Sequence, residues 1–254
     1  MTSIPRSALA RPLDLRYPSN RVAALVSLAA LLLSRRQGHS WPSALERSGM
    51  CFLTWAMARE LDPDHPMTAN LAMPLAFVFG PSRSSSTLAG FGVLSALRLL
   101  ADTTGERPTQ TDHLGMLVQA VLSARAGSGV AALMPAVASV VVTHDLPSAL
   151  PLAALLVPGR VREPSGRWAL LPLIAALAVT PALIRPEAVE SACDRAPRTV
   201  RPTDLRRARA GAAAVLALGL LTRQPAGLPA LASAVLSVGL RRCRTHGSRG
   251  PAVD

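Results

Sequence analysis

The sequence predicts an all-α protein, a polytopic transmembrane bundle of about 8–10 short helices, and three observations predict it. Of its 254 residues 50% are hydrophobic and only 17% charged, against roughly 25% charge in an average soluble domain. Ten Ala-, Leu- and Val-rich runs are separated by joints that carry arginine or turn residues. All 27 basic residues are arginine, and with 15 acidic residues they give a formal net charge of +12. Arginine gathers in the cytoplasmic loops of membrane proteins, and its long stem reaches the headgroups.

The first run, 22–33, follows Arg6, Arg11, Arg16 and Arg21 in the manner of a secretory leader. Ser34-Arg35-Arg36 stands where a small-x-small cleavage site belongs, so the run reads as a retained first helix. The next six runs cover 49–58, 67–80, 86–101, 114–124, 128–143 and 146–158, and the last three cover 168–184, 208–222 and 226–240. Each falls short of the ~20 residues that cross a bilayer squarely. Flanking polar residues extend some of them: the ninth helix can open at the Thr203-Asp204 cap, with Pro202 before it, and continue through Arg206, Arg207 and Arg209 to Thr222. Pro74, Pro135, Pro151, Pro172 and Pro181 lie inside or at the ends of runs and should kink them. Small residues such as Gly211 and Gly219, with Ala212, Ala213 and Ala214 between, let helices approach closely.

With ten spans, arginines on the side of the N-terminus outnumber those on the other by two to one, which places both termini in the cytoplasm of a bacterial inner (plasma) membrane. The chain reads as one helical membrane domain, 1–254, with the lipid bilayer as its partner. Two basic stretches interrupt it. One is a mobile cytoplasmic loop opening on Arg185 and closing on Arg209, which can also meet anionic lipid headgroups; the other is a tail at 241–254.

Several function classes are excluded. Cys51, Cys193 and Cys243 have no C-x-x-C spacing, hence neither a zinc site nor a disulfide framework. One Tyr, four Phe and three Trp are too few for stacking platforms, and no helix-turn-helix or finger is legible, so no nucleic acid is expected. H-E-x-x-H, G-x-S-x-G, P-loop and D-D-x-x-D patterns are all missing.

What remains is a set of polar clusters at helix ends. The first is Arg59-Glu60-Leu61-Asp62-Pro63-Asp64-His65-Pro66, where two prolines fix a tight turn. The second holds Arg98, Asp102, Glu106, Arg107, Asp112 and His113, with Arg98 and Asp102 on one helix face. The third is His144-Asp145. They follow the second, fourth and sixth helices and so face one side, in the pattern of a hairpin used three times. In one reading these residues are caps and surface ion pairs. In the other, Asp62, Asp64, His65, Asp102, Asp112, His113, His144 and Asp145 ligate a divalent metal, while Arg59, Arg98 and Arg107 clamp an anion. An ion or proton pathway along the same rim is a third.

The run 58–72, A-R-E-L-D-P-D-H-P-M-T-A-N-L-A, resembles the joint of a tetratricopeptide repeat. It occurs once, with no recurrence at roughly 34 residues, so it implies a helix-turn-helix corner and not the repeat. The same corner is similar to one in uncharacterised multipass membrane proteins of prokaryotes, where a helix ends in R-E-x-D-P-D-x-P. That resemblance implies the membrane setting and no activity. The expectation is an integral membrane protein, with two alternatives. One is a membrane-embedded, metal-dependent enzyme or carrier acting on a phosphate-containing or ionic substrate at the rim; the other is a soluble α-helical repeat scaffold.

Overall fold

In the computed structural model, which describes residues 7–11, 13–79, 86–143, 145–157 and 167–247, each of the ten apolar runs becomes helical. The order is α1 (Pro18–Arg36), α2 (Trp41–Leu61), α3 (Pro66–Val78), α4 (Ser86–Ala101), α5 (Gln110–Arg125) and α6 (Gly129–Val142). Two 3-10 segments, Leu146–Leu156 and Arg167–Leu170, follow. The chain continues with α7 (Leu171–Ala178), α8 (Thr180–Ile184), α9 (Pro202–Leu221) and α10 (Pro229–Gly247). The fold is all-α: extended pairing among the described residues is one isolated antiparallel bridge, Ala192 with Thr199.

Local chemistry sets most of the boundaries. Proline occupies the first or second position of α1, α2, α3 and α9, where its missing N–H costs nothing. α1 ends at Gly38, whose φ of +83° turns the chain out of the helix while His39 N donates to Ser34 O at 3.1 Å. Pro147 and Pro151 each remove a donor from the run after Asp145, which winds as a 3-10 segment in place of an α-helix. The eighth run breaks at Val179, two residues before Pro181.

The expectation of bilayer-spanning helices is overturned among the described residues, where no helix is long and apolar enough to cross a membrane. Length and hydrophobicity fall on different helices. α2, α9 and α10 have 21, 20 and 19 residues, but they carry Glu46, Arg47, Arg59 and Glu60, then Asp204, Arg206, Arg207 and Arg209, then Arg241, Arg242 and Arg244. The most apolar helices, α3, α6 and α7, have only 13, 14 and 8 residues, and at 1.5 Å per residue the longest of these reaches about 21 Å against a hydrocarbon core of about 30 Å. The multipass description and the inner-membrane placement fall with the spans, and the arginine count has none to orient.

α2 runs through the middle of the bundle, packed by α1, α3, α4 and α10. Met50, Leu53, Met57 and Leu61 repeat along its inner face and are fully buried. Small residues admit close neighbours, as the sequence suggests: a Cβ on Gly90 would stand 2.8 Å from Leu53, and one on Gly219 only 2.4 Å from Leu228.

The polar end of the bundle lies under two extended stretches, 7–11 and 185–201. The second folds back as a small hairpin: Cys193 N donates to Arg198 O at 2.8 Å and Val200 N to Ser191 O at 2.9 Å. Asp194 N and Arg195 N donate to the carbonyls of Thr103 and Thr104, both at 3.1 Å, which pins the hairpin to the α4–α5 connection. The basic stretch expected as one loop from 185 to 209 is therefore a strap to 201 and the first two turns of α9 thereafter. Likewise Arg241, Arg242 and Arg244 of the expected tail belong to α10.

Candidate anion-binding site

The predicted rim residues divide into separate networks. Asp62 closes α2 and receives Arg241, whose Nε lies 2.7 Å from Oδ2, while His65 Nδ1 lies 3.1 Å from Oδ1. Asp64 reaches the strap, taking the Ser191 hydroxyl and the N–H groups of Glu190 and Ser191. Burial opposes its charge, but these donors outweigh it and hold the carboxyl below the usual range. Asp102 pairs with Arg198.

Asp112 is a capping residue. It closes a capping box with Thr109 at the start of α5 and accepts from Ser7 Oγ and Ala8 N, which outweigh burial and depress its pKa. His113 points into the core and meets Ser139 of α6. Asp145 caps the 3-10 segment by accepting from Ser148 N at 3.1 Å. His144 lies outside the described residues. Among those described, no group of three or more His, Cys, Asp or Glu side chains comes together to hold a metal ion. Arg107 is exposed and away from the others, whereas Arg59 and Arg98 meet in one cavity.

That cavity, about 360 Å³, lies between the N-terminus of α1, the second half of α2, the end of α4 and the strap, a size suited to a small organic ligand. Phe52 and Trp55 form its apolar wall, and Tyr17 and Asn20 stand at its α1 side. Its basic residues are Arg11, Arg59, Arg98 and Arg195, set against Asp14, Glu60 and Asp194.

The acids are largely committed. Glu60, 1% exposed, takes Arg98 Nε at 2.8 Å and Arg11 Nη1 at 3.5 Å on one oxygen and the Thr103 hydroxyl on the other. Burial opposes ionisation of Glu60, yet Arg98, Arg11 and Thr103 together hold its carboxyl below the usual range. Asp194 takes Arg11, with Nε at 2.6 Å. Arg195 spends its donors on the carbonyls of Ser7 and Ala10, both at 2.8 Å, so its charge meets no carboxylate there.

Arg59 is the exception within the set. It leaves α2 in the last turn, donates Nη1 to Asn20 Oδ1 at 3.3 Å and lies 5.6 Å from the Trp55 ring centroid. Its Nε is buried without a hydrogen-bond partner, and no carboxylate of the described residues stands within ion-pair distance. Burial first, and repulsion from Arg11 second, push its pKa below the usual arginine range, against a smaller opposing pull from Glu60 and Asp194. A guanidinium keeps its proton at neutral pH, so the wall of this cavity holds a desolvated positive charge that an anion would relieve.

A second ionic cluster lies beside the first. Glu187 of the strap receives Arg209, Arg241 and Arg242, and Arg209 Nε also donates to Leu61 O at 2.9 Å. Burial lowers the Arg209 pKa to about 10.

Comparison with protein-family models, with curated proteins and with solved structures returns no match to this chain. The site therefore stands on its own residues. Sequence reading singles out Arg59 and Arg98 but misses Glu60 as the partner of Arg98 and Arg11, and it misses Arg11, Arg195 and Trp55 as cavity residues. Glu60 has one legible sign: it is an acid flanked by Arg59 and Leu61 at the end of an apolar helix. Arg11 and Arg195 come from remote extended segments and have none.

Proposed function

We propose that this chain is a helical binding protein for a small phosphate- or carboxylate-bearing ligand, taken up in the cavity between α1, α2, α4 and the strap. One observation carries the reading: the Arg59 guanidinium faces this cavity with a buried Nε and, among the described residues, no carboxylate within ion-pair distance. Planar guanidinium groups recognise carboxylate and phosphate oxygens through paired N–H donors. Arg98 and Arg11, held in place by Glu60, add positive potential, and Trp55 and Phe52 offer a face to the ligand's apolar part.

Trp55 sits in the wall, so its fluorescence reports occupancy once Trp41 and Trp168 are replaced by Phe. Titration with inorganic phosphate and with citrate is expected to give a saturable change that weakens with salt. Arg59→Gln is expected to weaken binding by about 30-fold or more, since losing one side of a desolvated charge pair costs at least about 2 kcal/mol. Failure of both anions to give a saturable signal, or equal affinity in Arg59→Gln, overturns the reading.

A further inference from the structure

An exposed apolar face of α1 begins at Tyr17, in the cavity lining. On α1 the positions 17, 21, 25, 28 and 32 share one face, and Tyr17, Leu25, Leu28 and Leu32 on it are 62%, 65%, 51% and 55% exposed. Arg21, exposed, stands between Tyr17 and Leu25 and donates Nη2 to Arg16 O at 3.4 Å. At 1.5 Å per residue the face extends about 22 Å from Tyr17 to Leu32.

α3 runs beside it in the same direction: Ser19 Oγ in the first turn of α1 lies 3.1 Å from Asn70 Oδ1 and 3.5 Å from Pro66 O in the first turn of α3. α3 also carries large exposed apolar residues, Met67, Leu71 and Val78, on one face. α1 thus leads away from the cavity and α3 packs beside its start, both with large apolar side chains exposed to solvent. Single exposed leucines are ordinary, but a continuous apolar path that starts at a binding cavity marks an interaction site.

We propose that the ligand is an anionic amphiphile, a single-chain alkyl or acyl molecule with a phosphate or carboxylate head. The head occupies the cavity against Arg59 and the chain lies along the α1 face over Leu25, Leu28 and Leu32. This rests on the anion-binding reading above and names its ligand class. Two observations select this occupant: the face meets the cavity at Tyr17, and beyond the arginines of the cavity and Arg21 in the first turn of α1, the stretch over Leu25, Leu28 and Leu32 carries no charge until Arg35 and Arg36. The layout matches one charged head followed by an uncharged chain.

The test compares methyl phosphate with dodecyl phosphate below its micelle concentration, by titration calorimetry on the full chain, with dodecyl maltoside as an uncharged control. Each methylene buried contributes roughly a four-fold gain in affinity, so dodecyl phosphate is expected to bind at least about 100-fold more tightly than methyl phosphate. Leu25→Ser with Leu28→Ser, both on the exposed face, is expected to erase most of that gain and leave methyl phosphate affinity unchanged. Arg59→Gln is expected to weaken both phosphates and leave the maltoside unaffected.

Equal affinity for the two phosphates, with Arg59→Gln weakening both, overturns the amphiphile and leaves the anion site standing. Binding of dodecyl maltoside as tightly as dodecyl phosphate overturns it as a plain apolar patch. Binding only to phosphatidylglycerol vesicles, with no uptake of monomeric dodecyl phosphate, overturns it in favour of a lipid surface. Failure of every phosphate probe removes the anion site and this inference together.

Discussion

Glu60 Oε1 lies 2.8 Å from Arg98 Nε across 38 residues of sequence, and the pair ties the last turn of α2 to the last turn of α4. Arg98 continues to Leu9 O at 2.7 Å, so the N-terminal stretch hangs on the same guanidinium. Removing one side of a buried, hydrogen-bonded ion pair costs about 3–5 kcal/mol, because the other charge stays behind in a poor solvent. Glu60→Gln is therefore expected to lower the unfolding free energy by that much, read as a lower urea midpoint with little change of slope. Glu60→Gln combined with Arg98→Met should cost clearly less than the two single changes added together. Additive losses would show that the pair is not coupled.

Acid should weaken the fold through the same carboxylates. Glu60, Asp64 and Asp112 all have folded-state pKa values held below their ordinary values. A depressed carboxyl stabilises the fold fully above its unfolded pKa of roughly 4, and that contribution disappears as pH falls through the lower folded value. Thermal unfolding is expected to be flat from pH 7 to about 5 and to fall steeply below about 4. Glu60→Gln should flatten the acid limb, since one of the three linked protons is then gone. A wild-type acid limb that Glu60→Gln leaves unaltered would assign the lability to other groups.

Two helical glycines should respond oppositely to the same substitution. Gly115 on α5 has nothing within 4 Å of an added Cβ, so Gly115→Ala is expected to stabilise by about 1 kcal/mol through helix propensity. Gly239 on α10 has Val179 Cγ2 at 2.4 Å and the Val179 carbonyl oxygen at 3.2 Å from the same added atom. Gly239→Ala must displace the break between α7 and α8 and is expected to destabilise by about 1–3 kcal/mol. Chemical denaturation of the two variants side by side settles both signs.

The helices were legible because apolar runs bounded by proline, glycine or arginine mark helices whatever surrounds them. Run 86–101 coincides with α4, whereas the ninth helix starts at Pro202 with Arg201 in the cap position, ahead of the expected Thr203-Asp204 cap, because proline suits the first turn. The membrane setting was misread for a physical reason: alanine lifts hydrophobicity without adding helix length, and Ala58, Ala96, Ala208 and Ala232 are buried between helices. Asp112 reads in sequence as a possible ligand, yet Thr109 three residues before it makes it the acid of a capping box. The cavity was half legible. Arg59 and Arg98 belong to helix ends that periodicity finds, whereas Arg11, Asp194 and Arg195 reach it from extended segments that no local pattern places.

The strap offers the last expectation. Glu187 gathers Arg209, Arg241 and Arg242, and the side chains of Arg209 and Arg242 are only 3% and 1% exposed. Three guanidinium groups repel one another here; Asp62 takes Arg241 from one side, and Glu187 is the carboxylate that contacts all three. Glu187→Gln leaves that repulsion in a desolvated place, while Asp64 still holds Ser191 and Arg11 still holds Asp194. The response should therefore be local as well as global: a loss of about 3 kcal/mol or more by denaturation, and faster tryptic cleavage after Arg195 or Arg198 under native conditions. Glu190→Gln, an exposed change on the same strap that keeps its backbone bond to Asp64, is the control and should alter neither. Equal cleavage rates in Glu187→Gln and the parent chain would mean that Asp64 and Asp194 alone hold the strap, and would remove Glu187 as its latch.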